Sequence, residues 1–226
     1  MGIWSFNEGT GSVAHDTSLP PQHDNGTIAA GTTWTKGRFW NALSFDGNAA
    51  GVDVPNENGL QGSEVTVSAW VNNATAPGPF KYIMSKGAQG CLAASYGLYT
   101  GPNGGLEFYV ASNGGLNWTQ SPDAGTGVWN GSWHNVIGTF DGSTVRLYVD
   151  GREVGSGTPD TSPIPYNLSD GNDLEIGNYS GCSGLGFSGK IDEVKAFNRV
   201  LGAQEIHLAV ATSNLLPTNF PDDLVL

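Results

Sequence analysis

Residues 133–151 read WHNVIGTFDGSTVRLYVDG. In the second half of this stretch, Val145, Leu147 and Val149 alternate with Arg146 and Tyr148, which is the period of a half-buried strand. The stretch 141–143 (Asp-Gly-Ser) has the composition of a tight turn, and Asp-Gly at 150–151 supplies a second one. Residues 133–151 therefore predict a β-hairpin bounded by turns.

The same alternation recurs along the chain, for example over residues 65–71 and 106–110, with turn signals such as 24–26 and 102–105 between the runs. Many short strands separated in this way predict an all-β protein, a two-sheet antiparallel β-sandwich of the jelly-roll type. Helical spacing appears only over residues 201–208, which predicts one short C-terminal helix. We expect a single jelly-roll domain over residues 1–208, followed by a tail or linker over residues 209–226.

Composition and charge exclude several classes of partner. The chain of 226 residues contains 34 glycines and 12 prolines, as expected of a protein rich in turns. Its 9 Lys and Arg against 21 Asp and Glu give a net charge of -12, so the basic surface that binds nucleic acid or anionic membranes is missing. No apolar run is long enough to cross a membrane, and we expect a monomer that does not insert into lipid.

The two cysteines, Cys91 and Cys182, lie in glycine-flanked stretches without the neighbouring Cys or His of a metal site. A disulfide between the two loops is favoured over two free thiols. Such a bond favours an oxidising compartment, so we expect a secreted or cell-surface location.

Several motifs are similar to those of one family. The hairpin resembles the W-H-x-V…D-G…Y-V-D-G pattern of laminin-G-like jelly rolls, which belong to the concanavalin A-like lectin and glucanase superfamily. Further matches occur in the family's order, at residues 4–9, 42–47, 67–71, 85–87, 175–177 and 187–194. Together they cover roughly residues 2–208, and the number of matches in one order makes the fold signal strong.

The sequence offers no constellation for catalysis. Glycoside hydrolysis needs two carboxylates close together, and the related glucanases supply them from one strand as Glu-x-Asp-x-x-Glu. That motif is absent, and Asp192 and Glu193 point to opposite faces of a predicted strand. We therefore expect a module without catalytic activity.

The resemblance also implies a structural calcium ion. In the family, an Asp-rich loop lies beside the Asp of the final I-D-E strand and binds calcium through hard oxygen ligands. Carried over to this chain, the ligands would be Asp16, Asp24 and Asp192, with oxygens near Asn25 completing the shell. The alternative is that Asp16 and Asn25 only cap turns, as Asp and Asn commonly do.

Exposed aromatic side chains are the candidates for ligand binding, because sugar rings stack their C–H faces on aromatic planes. The strand alternation assigns one set to an exposed sheet face, and polar loops carry another. The strand set is Tyr99, Glu107, Tyr109, Arg146 and Tyr148, and the loop set is Trp118, Trp129, Asn178 and Tyr179. The alternative is that these rings only cover sheet edges.

These observations lead to two hypotheses of function. The first is a carbohydrate-binding module that recognises an oligo- or polysaccharide and is fused to other domains in a larger secreted or surface protein; the family resemblance implies this ligand class, and the exposed aromatic residues are consistent with it. The second is a protein-binding adhesion module, because the same superfamily also includes domains that bind proteins and a fold does not determine function.

Overall fold

The computed structural model describes residues 1–19, 24–48, 50–55 and 58–211. Within these ranges the chain forms seventeen strands, three 3₁₀ turns and one α-helix. The strands, in chain order, are β1 (Gly2–Trp4), β2 (Val13–Ala14), β3 (Gly26–Ile28), β4 (Thr33–Lys36), β5 (Asn41–Asp46), β6 (Val52–Val54), β7 (Val65–Asn72), β8 (Tyr82–Ala88), β9 (Tyr96–Thr100), β10 (Leu106–Ser112), β11 (Asn117–Gln120), β12 (Trp133–Phe140), β13 (Thr144–Val149), β14 (Arg152–Glu153), β15 (Thr158–Pro159), β16 (Gly171–Ile176) and β17 (Ser188–Phe197). The 3₁₀ turns are Asn58–Leu60, Asn113–Gly115 and Thr126–Val128, and helix α1 is Ala203–Ala211.

The strands of the described residues form two antiparallel sheets, which confirms the predicted sandwich. The nine-stranded sheet has the order β14-β13-β12-β7-β17-β5-β4, with β1 beside β17 and β15 beside β13. The eight-stranded sheet has the order β11-β10-β9-β8-β16-β6-β3-β2. The predicted hairpin is confirmed as the pair β12 and β13, in register from Val136 opposite Val149 to Phe140 opposite Val145.

The main hydrophobic core lies between the two sheets, because each strand turns alternate side chains inward. From the eight-stranded sheet, Leu98 and Phe108 are fully buried there, and from the nine-stranded sheet Val67 and Phe140 meet them. Gly138 on β12 makes room for the Phe108 ring, since a Cβ atom at this glycine would lie 2.2 Å from Phe108 Cγ. The two sheets therefore approach each other closely at this point.

Helix α1 packs on the outward face of the nine-stranded sheet. Its start has one half of a capping box: the Glu205 carboxylate accepts the N–H of Gly202 at 2.9 Å, but Gly202 has no side chain to return a bond. Leu201 and Ile206 pack in one cluster on either side of this cap. The helix therefore begins two residues later than predicted and continues to Ala211, three residues into the predicted tail. The rest of that tail, residues 212–226, lies outside the described part of the chain. Among the described residues, no helix is long and apolar enough to cross a membrane.

The contact at Gly138 gives a prediction for stability. Gly138→Ala should lower the free energy of unfolding by about 1–3 kcal/mol, because the added methyl group overpacks the interface against Phe108. Denaturant unfolding followed by tryptophan fluorescence measures the change. Gly127→Ala is the matched control, since a Cβ atom there meets nothing within 4 Å and the change should stay within about 0.5 kcal/mol. Equal effects of the two substitutions would contradict the packing argument.

Candidate functional site

Four tyrosines form a cluster on the outward face of the eight-stranded sheet: Tyr82, Tyr99, Tyr109 and Tyr179. Side chains alternate along β9 and β10, so Leu98 and Phe108 face the core while their chain neighbours Tyr99 and Tyr109 lie on the outward face of the sheet. The rings of Tyr82 and Tyr179 stack at 4.8 Å between centroids, and those of Tyr99 and Tyr109 meet edge to face at 4.9 Å. We call these four residues the tyrosine cluster.

The sequence predicted that Tyr99, Tyr109 and Tyr179 are exposed to solvent. The structure shows instead that the tyrosine cluster is buried. Tyr109, for example, is only 1% exposed. Two loops cover this face. The Tyr179 hydroxyl donates to the carbonyl of Leu92 at 2.7 Å and accepts the N–H of Gln89 at 3.1 Å, and the N–H of Ala94 donates to the Tyr109 hydroxyl at 2.9 Å. Strand alternation distinguishes two faces but does not show that a loop covers one of them.

The predicted disulfide is confirmed and joins these two loops. Cys91 and Cys182 are bonded across 91 residues of sequence, with 4.9 Å between their Cα atoms. Cys91 belongs to the loop between β8 and β9, and Cys182 follows Tyr179 in the loop between β16 and β17. The bond therefore keeps both covers of the tyrosine cluster in place.

Above the tyrosine cluster lies a cavity of about 340 Å³, which we call the aromatic pocket. Its walls are the side chains of Phe80, Tyr82, Cys91, Leu92, Ala93, Tyr99, Tyr109, Trp118, Cys182 and Leu185. At the rim Trp118 is 47% exposed, and Leu92 and Phe80 are also exposed. The volume lies at the lower end of the range of small-ligand sites, about 300–1,000 Å³.

Backbone register explains how the rings reach the pocket. β11 pairs with β10 so that Trp118 lies opposite Ala111 and Gln120 opposite Tyr109, which puts both side chains on the face of the tyrosine cluster. Gly97 on β9 leaves room for the Tyr109 ring, because a Cβ atom there would lie 2.6 Å from its Cε1 atom. The predicted residues Tyr99, Tyr109 and Trp118 are thus brought together, and the predicted residue Tyr179 stacks on Tyr82 beside them.

A polar group of three side chains lies beside the pocket. Gln120 Nε2 donates to Glu107 Oε2 at 2.8 Å and to the Tyr99 hydroxyl, and Tyr99 donates weakly to the same carboxylate oxygen at 3.4 Å. Burial raises the pKa of Glu107 to about 7, and nearby Asp123 adds to the rise, while the hydrogen bonds from Tyr99 and Gln120 oppose it. This predicted site residue therefore titrates near neutral pH.

Arg146 and Tyr148 do not belong to this site. Both lie on β13 of the nine-stranded sheet, so the prediction that they share an exposed sheet face with Tyr99 and Tyr109 is wrong. Arg146 forms ion pairs with Asp141 and Glu153, and Tyr148 packs against the cluster around helix α1. Alternation assigns a face of a strand, but it does not tell which of the two sheets contains the strand.

Trp129 was predicted as an exposed loop residue, and the structure corrects this. It is 5% exposed and belongs to the core between the sheets, with its ring 5.8 Å from that of Phe187. Its indole N–H donates to the carbonyl of Gly104 at 2.9 Å. The 3₁₀ turn Thr126–Val128 directs this indole inward, where its one polar atom still finds a partner.

Asn178 lines a different cavity. This second cavity, of about 380 Å³, lies beside β6 and β16 and also contains Asp53, Asp173, Glu175 and Ser180. Burial raises the pKa of Asp53 and of Glu175, and their neighbouring carboxylates add to the rise. Asn178 and Tyr179 are adjacent in sequence but belong to separate cavities.

The predicted calcium ligands do not form a metal-binding group in the described part of the chain, where no three or more His, Cys, Asp or Glu residues form one. Asp16 is already engaged, because its carboxylate accepts the N–H groups of Ile3 and Ser18 at 2.9 Å and the Ser18 hydroxyl at 2.8 Å. The side chain of Asn25 accepts the N–H of Asp16 at 2.9 Å. The contacts of Asp16 with Ser18 match the alternative for Asp16, in which it caps a turn, whereas Asn25 bonds a residue of a neighbouring segment.

The other two predicted ligands are buried. The Asp24 carbonyl accepts the indole N–H of Trp4 at 2.7 Å. Asp192 accepts the N–H of Phe39 at 3.1 Å, and its other oxygen is buried without a hydrogen bond, so that burial raises its pKa to about 7. Residues 20–23 of the predicted calcium loop lie outside the described part of the chain. Calcium therefore remains a prediction from the resemblance.

Sequence reasoning missed several residues of the pocket, above all Tyr82. Both Ile83 and Met84 point into the core, because the register between β8 and β9 shifts between Tyr82 and Met84. This bulge turns Tyr82 outward, and nothing in the sequence marks it. Gln120 of the polar group beside the pocket could have been found from the sequence, since it lies two residues after Trp118 on the same strand face.

Solved structures of the same fold were found in several organisms. Domain 4 of a GH43 extracellular arabinanase from Geobacillus stearothermophilus, in complex with arabinotriose, matches with a TM-score of 0.68 and 16% identity over 92% of this chain and 97% of that one. Trypanosoma rangeli sialidase in complex with the inhibitor DANA matches with a TM-score of 0.65 and 19% identity, over 95% of this chain but 33% of the sialidase. The binding domain of Paraclostridial Mosquitocidal Protein 1 matches with a TM-score of 0.61 and 13% identity, over 92% of this chain and 51% of that one.

Sequence comparison gives the family. No curated protein matches the chain significantly. A family model described as the concanavalin A-like lectin/glucanases superfamily, of the laminin-G type, matches residues 46–207, which is well over half of the chain. Together with the two antiparallel sheets, this match shows that the chain belongs to the concanavalin A-like lectin/glucanases superfamily.

Proposed function

We propose that the protein binds carbohydrate at the aromatic pocket. The observation that carries the proposal is the convergence of Tyr82, Tyr99, Tyr109 and Trp118 around one cavity on the outward face of the eight-stranded sheet. Aromatic planes next to an open cavity provide the apolar surface on which sugar rings stack. Three of the four rings are fixed by packing and by the disulfide-linked loops, so little conformational entropy is lost when a ligand binds.

The comparisons support this ligand class. The Geobacillus arabinanase domain, which matches over nearly its whole length, was solved with arabinotriose, and the sialidase match covers one third of a carbohydrate-active enzyme. By analogy, we infer that this domain serves a larger secreted or cell-surface protein. The disulfide supports an oxidising compartment.

We infer further that the domain binds its ligand without transforming it. Glycoside hydrolysis requires a pair of carboxylates at the bond that is cleaved. The ten residues that line the aromatic pocket include no carboxylate, and Glu107 lies beside the pocket rather than in its wall. This arrangement supports recognition rather than catalysis.

Replacement of Trp118 tests the proposal. Trp118→Ala should weaken the binding of a polysaccharide ligand about tenfold or more, because the exposed indole is the largest ring at the rim. Retention on a panel of immobilised polysaccharides, followed by titration calorimetry with those retained, measures the effect. The fold should be intact, since about half of this side chain is exposed.

Trp40→Ala is the matched control, because Trp40 is 68% exposed and does not line the pocket. Binding should be the same as in the unmodified protein. If Trp118→Ala also left every polysaccharide interaction unchanged, or if no polysaccharide were retained, the adhesion hypothesis would be favoured instead. Release of reducing ends from a retained polysaccharide would contradict the inference that the domain is not an enzyme.

Glu107 gives a prediction about pH. Its pKa is raised from 4.5 to about 7 in the folded protein, so the folded state binds the proton more tightly than the unfolded state. The contribution of the protonated carboxyl group to stability is therefore fully present below pH 4.5 and is lost as the pH rises through about 7. Glu107→Gln, which mimics the protonated form, should become more stable relative to the unmodified protein between pH 5.5 and pH 8.

Urea unfolding of both proteins at the two pH values measures this difference. Asp123→Asn, which removes the neighbouring charge but keeps the Glu107 carboxylate, should retain a pH dependence of the same sign. A stability difference between Glu107→Gln and the unmodified protein that stays constant across this range would contradict the raised pKa.

Calcium binding is a separate proposal, and it rests on the family resemblance. If the loop that contains Asp16 and Asp24 binds calcium together with Asp192, calcium should raise the melting temperature of chelator-treated protein, and magnesium should not. Differential scanning calorimetry provides the measurement. Identical melting temperatures with chelator and with calcium would overturn the proposal, in agreement with the engaged carboxylate of Asp16.

A further inference from the structure

The tyrosine hydroxyls in the walls of the aromatic pocket already take part in hydrogen bonds within the protein. The hydroxyls of Tyr82 and Tyr109 lie 3.0 Å apart and bond to each other, and the Tyr109 hydroxyl also accepts the N–H of Ala94. The Tyr99 hydroxyl is bonded to Gln120 and Glu107. The tyrosines therefore present ring faces and edges to a ligand more than they present free hydroxyls.

Main-chain groups of two wall residues, Leu92 and Leu185, are engaged in the same way. The carbonyl of Leu92 accepts the Tyr179 hydroxyl, and the N–H of Leu92 donates to the carbonyl of Gln89 at 3.0 Å. On the opposite wall, the carbonyl of Leu185 accepts the N–H of Tyr82 at 2.9 Å. The remaining surface consists of the disulfide and of Phe80, Ala93 and the Trp118 ring, with no charged side chain among the lining residues.

Such a pocket discriminates between sugar hydroxyls and sugar methyl groups. A hydroxyl that enters it leaves its water partners and meets a wall made mostly of ring carbons, aliphatic carbons and the disulfide, which is unfavourable. A methyl group in the same position loses only water contacts and gains dispersion contacts with the rings. Burial, which raises the pKa of the Tyr82 and Tyr109 hydroxyls well above their usual range, is consistent with a dry environment.

We propose that the aromatic pocket selects a sugar residue that carries a methyl group, such as a 6-deoxyhexose, over the corresponding sugar with a hydroxymethyl group. This inference rests on the proposed carbohydrate binding and specifies the ligand class of the same site. The methyl group points to the tyrosine cluster, while the ring hydroxyls of the sugar remain at the rim near Trp118. Glu107 and Gln120 provide polar groups beside the pocket.

Matched pairs of sugars test the proposal. The probes are the methyl glycosides of fucose and galactose, of rhamnose and mannose, and of 6-deoxyglucose and glucose, each pair in the same configuration. Titration calorimetry or saturation-transfer NMR gives the dissociation constants. In at least one pair the 6-deoxy sugar should bind about tenfold more tightly, the effect of burying a hydroxyl group without a partner.

Equal affinities in all pairs, tighter binding of the hydroxymethyl sugars, or no binding of any probe would overturn the methyl selectivity. These failures differ from a failure of the proposed function. Retention on a polysaccharide that is lost in Trp118→Ala would still support carbohydrate binding, and only the specificity would be wrong. Absence of retention on every polysaccharide would instead refute the proposed function.

A variant at the pocket rim tests the physical cause. Leu92→Asn should fold, because the side chain of Leu92 is 40% exposed. The amide group that it adds to the wall can bond a sugar hydroxyl, so the ratio of the two dissociation constants in each sugar pair should move closer to one. Leu116→Asn is the control, since Leu116 is also exposed and does not line the pocket. An unchanged preference in Leu92→Asn, or the same narrowing in both variants, would contradict the role assigned to the apolar wall.

Discussion

The structure of the candidate site depends on the burial of one outward sheet face. A sandwich with two sheets leaves two outward faces, and each has to face water or be covered. Helix α1 covers part of one face, and the loops that contain Cys91 and Cys182 cover part of the other. A loop buries little apolar surface, so packing alone offsets little of the conformational entropy that is lost when the loop becomes ordered. The disulfide between the two loops adds stability because it restricts the unfolded chain.

This constraint explains why tyrosines that line the proposed binding pocket also hold the covering loops in place. Tyr109 and Tyr179 use their hydroxyls to bond the covering loop at Ala94 and at Leu92, and use their rings to pack under it. The loops do not close completely, and the aromatic pocket is an open part of the face beside them. The same contacts that fix the loops also engage the tyrosine hydroxyls, so the pocket wall is formed mainly by rings and aliphatic groups.

The sequence predicted the elements that local chemistry determines. The hairpin of β12 and β13 and the alternation of β10 are confirmed. The disulfide between Cys91 and Cys182 is a long-range contact that could be predicted because the chain has only two cysteines. Other long-range contacts could not be predicted from local patterns. The position of β13 in the other sheet separates Arg146 and Tyr148 from the site, and the bulge in β8 adds Tyr82 to it. A periodic pattern has no information about which strands become neighbours across the sandwich.

The prediction that Tyr99, Tyr109 and Tyr179 are exposed was wrong for a related reason, because alternation does not show that a loop covers a sheet face. The burial of these residues decides which variants can be used to study the site. Tyr109 is buried in the tyrosine cluster and bonds to the main chain, so its removal would disturb the covering loop together with any ligand contact. Trp118, in contrast, is half exposed, lies on β11 at the edge of its sheet, and lines the pocket. Binding and stability are therefore coupled at the floor of the pocket and separable at its rim, and only residues of the rim can report on recognition alone.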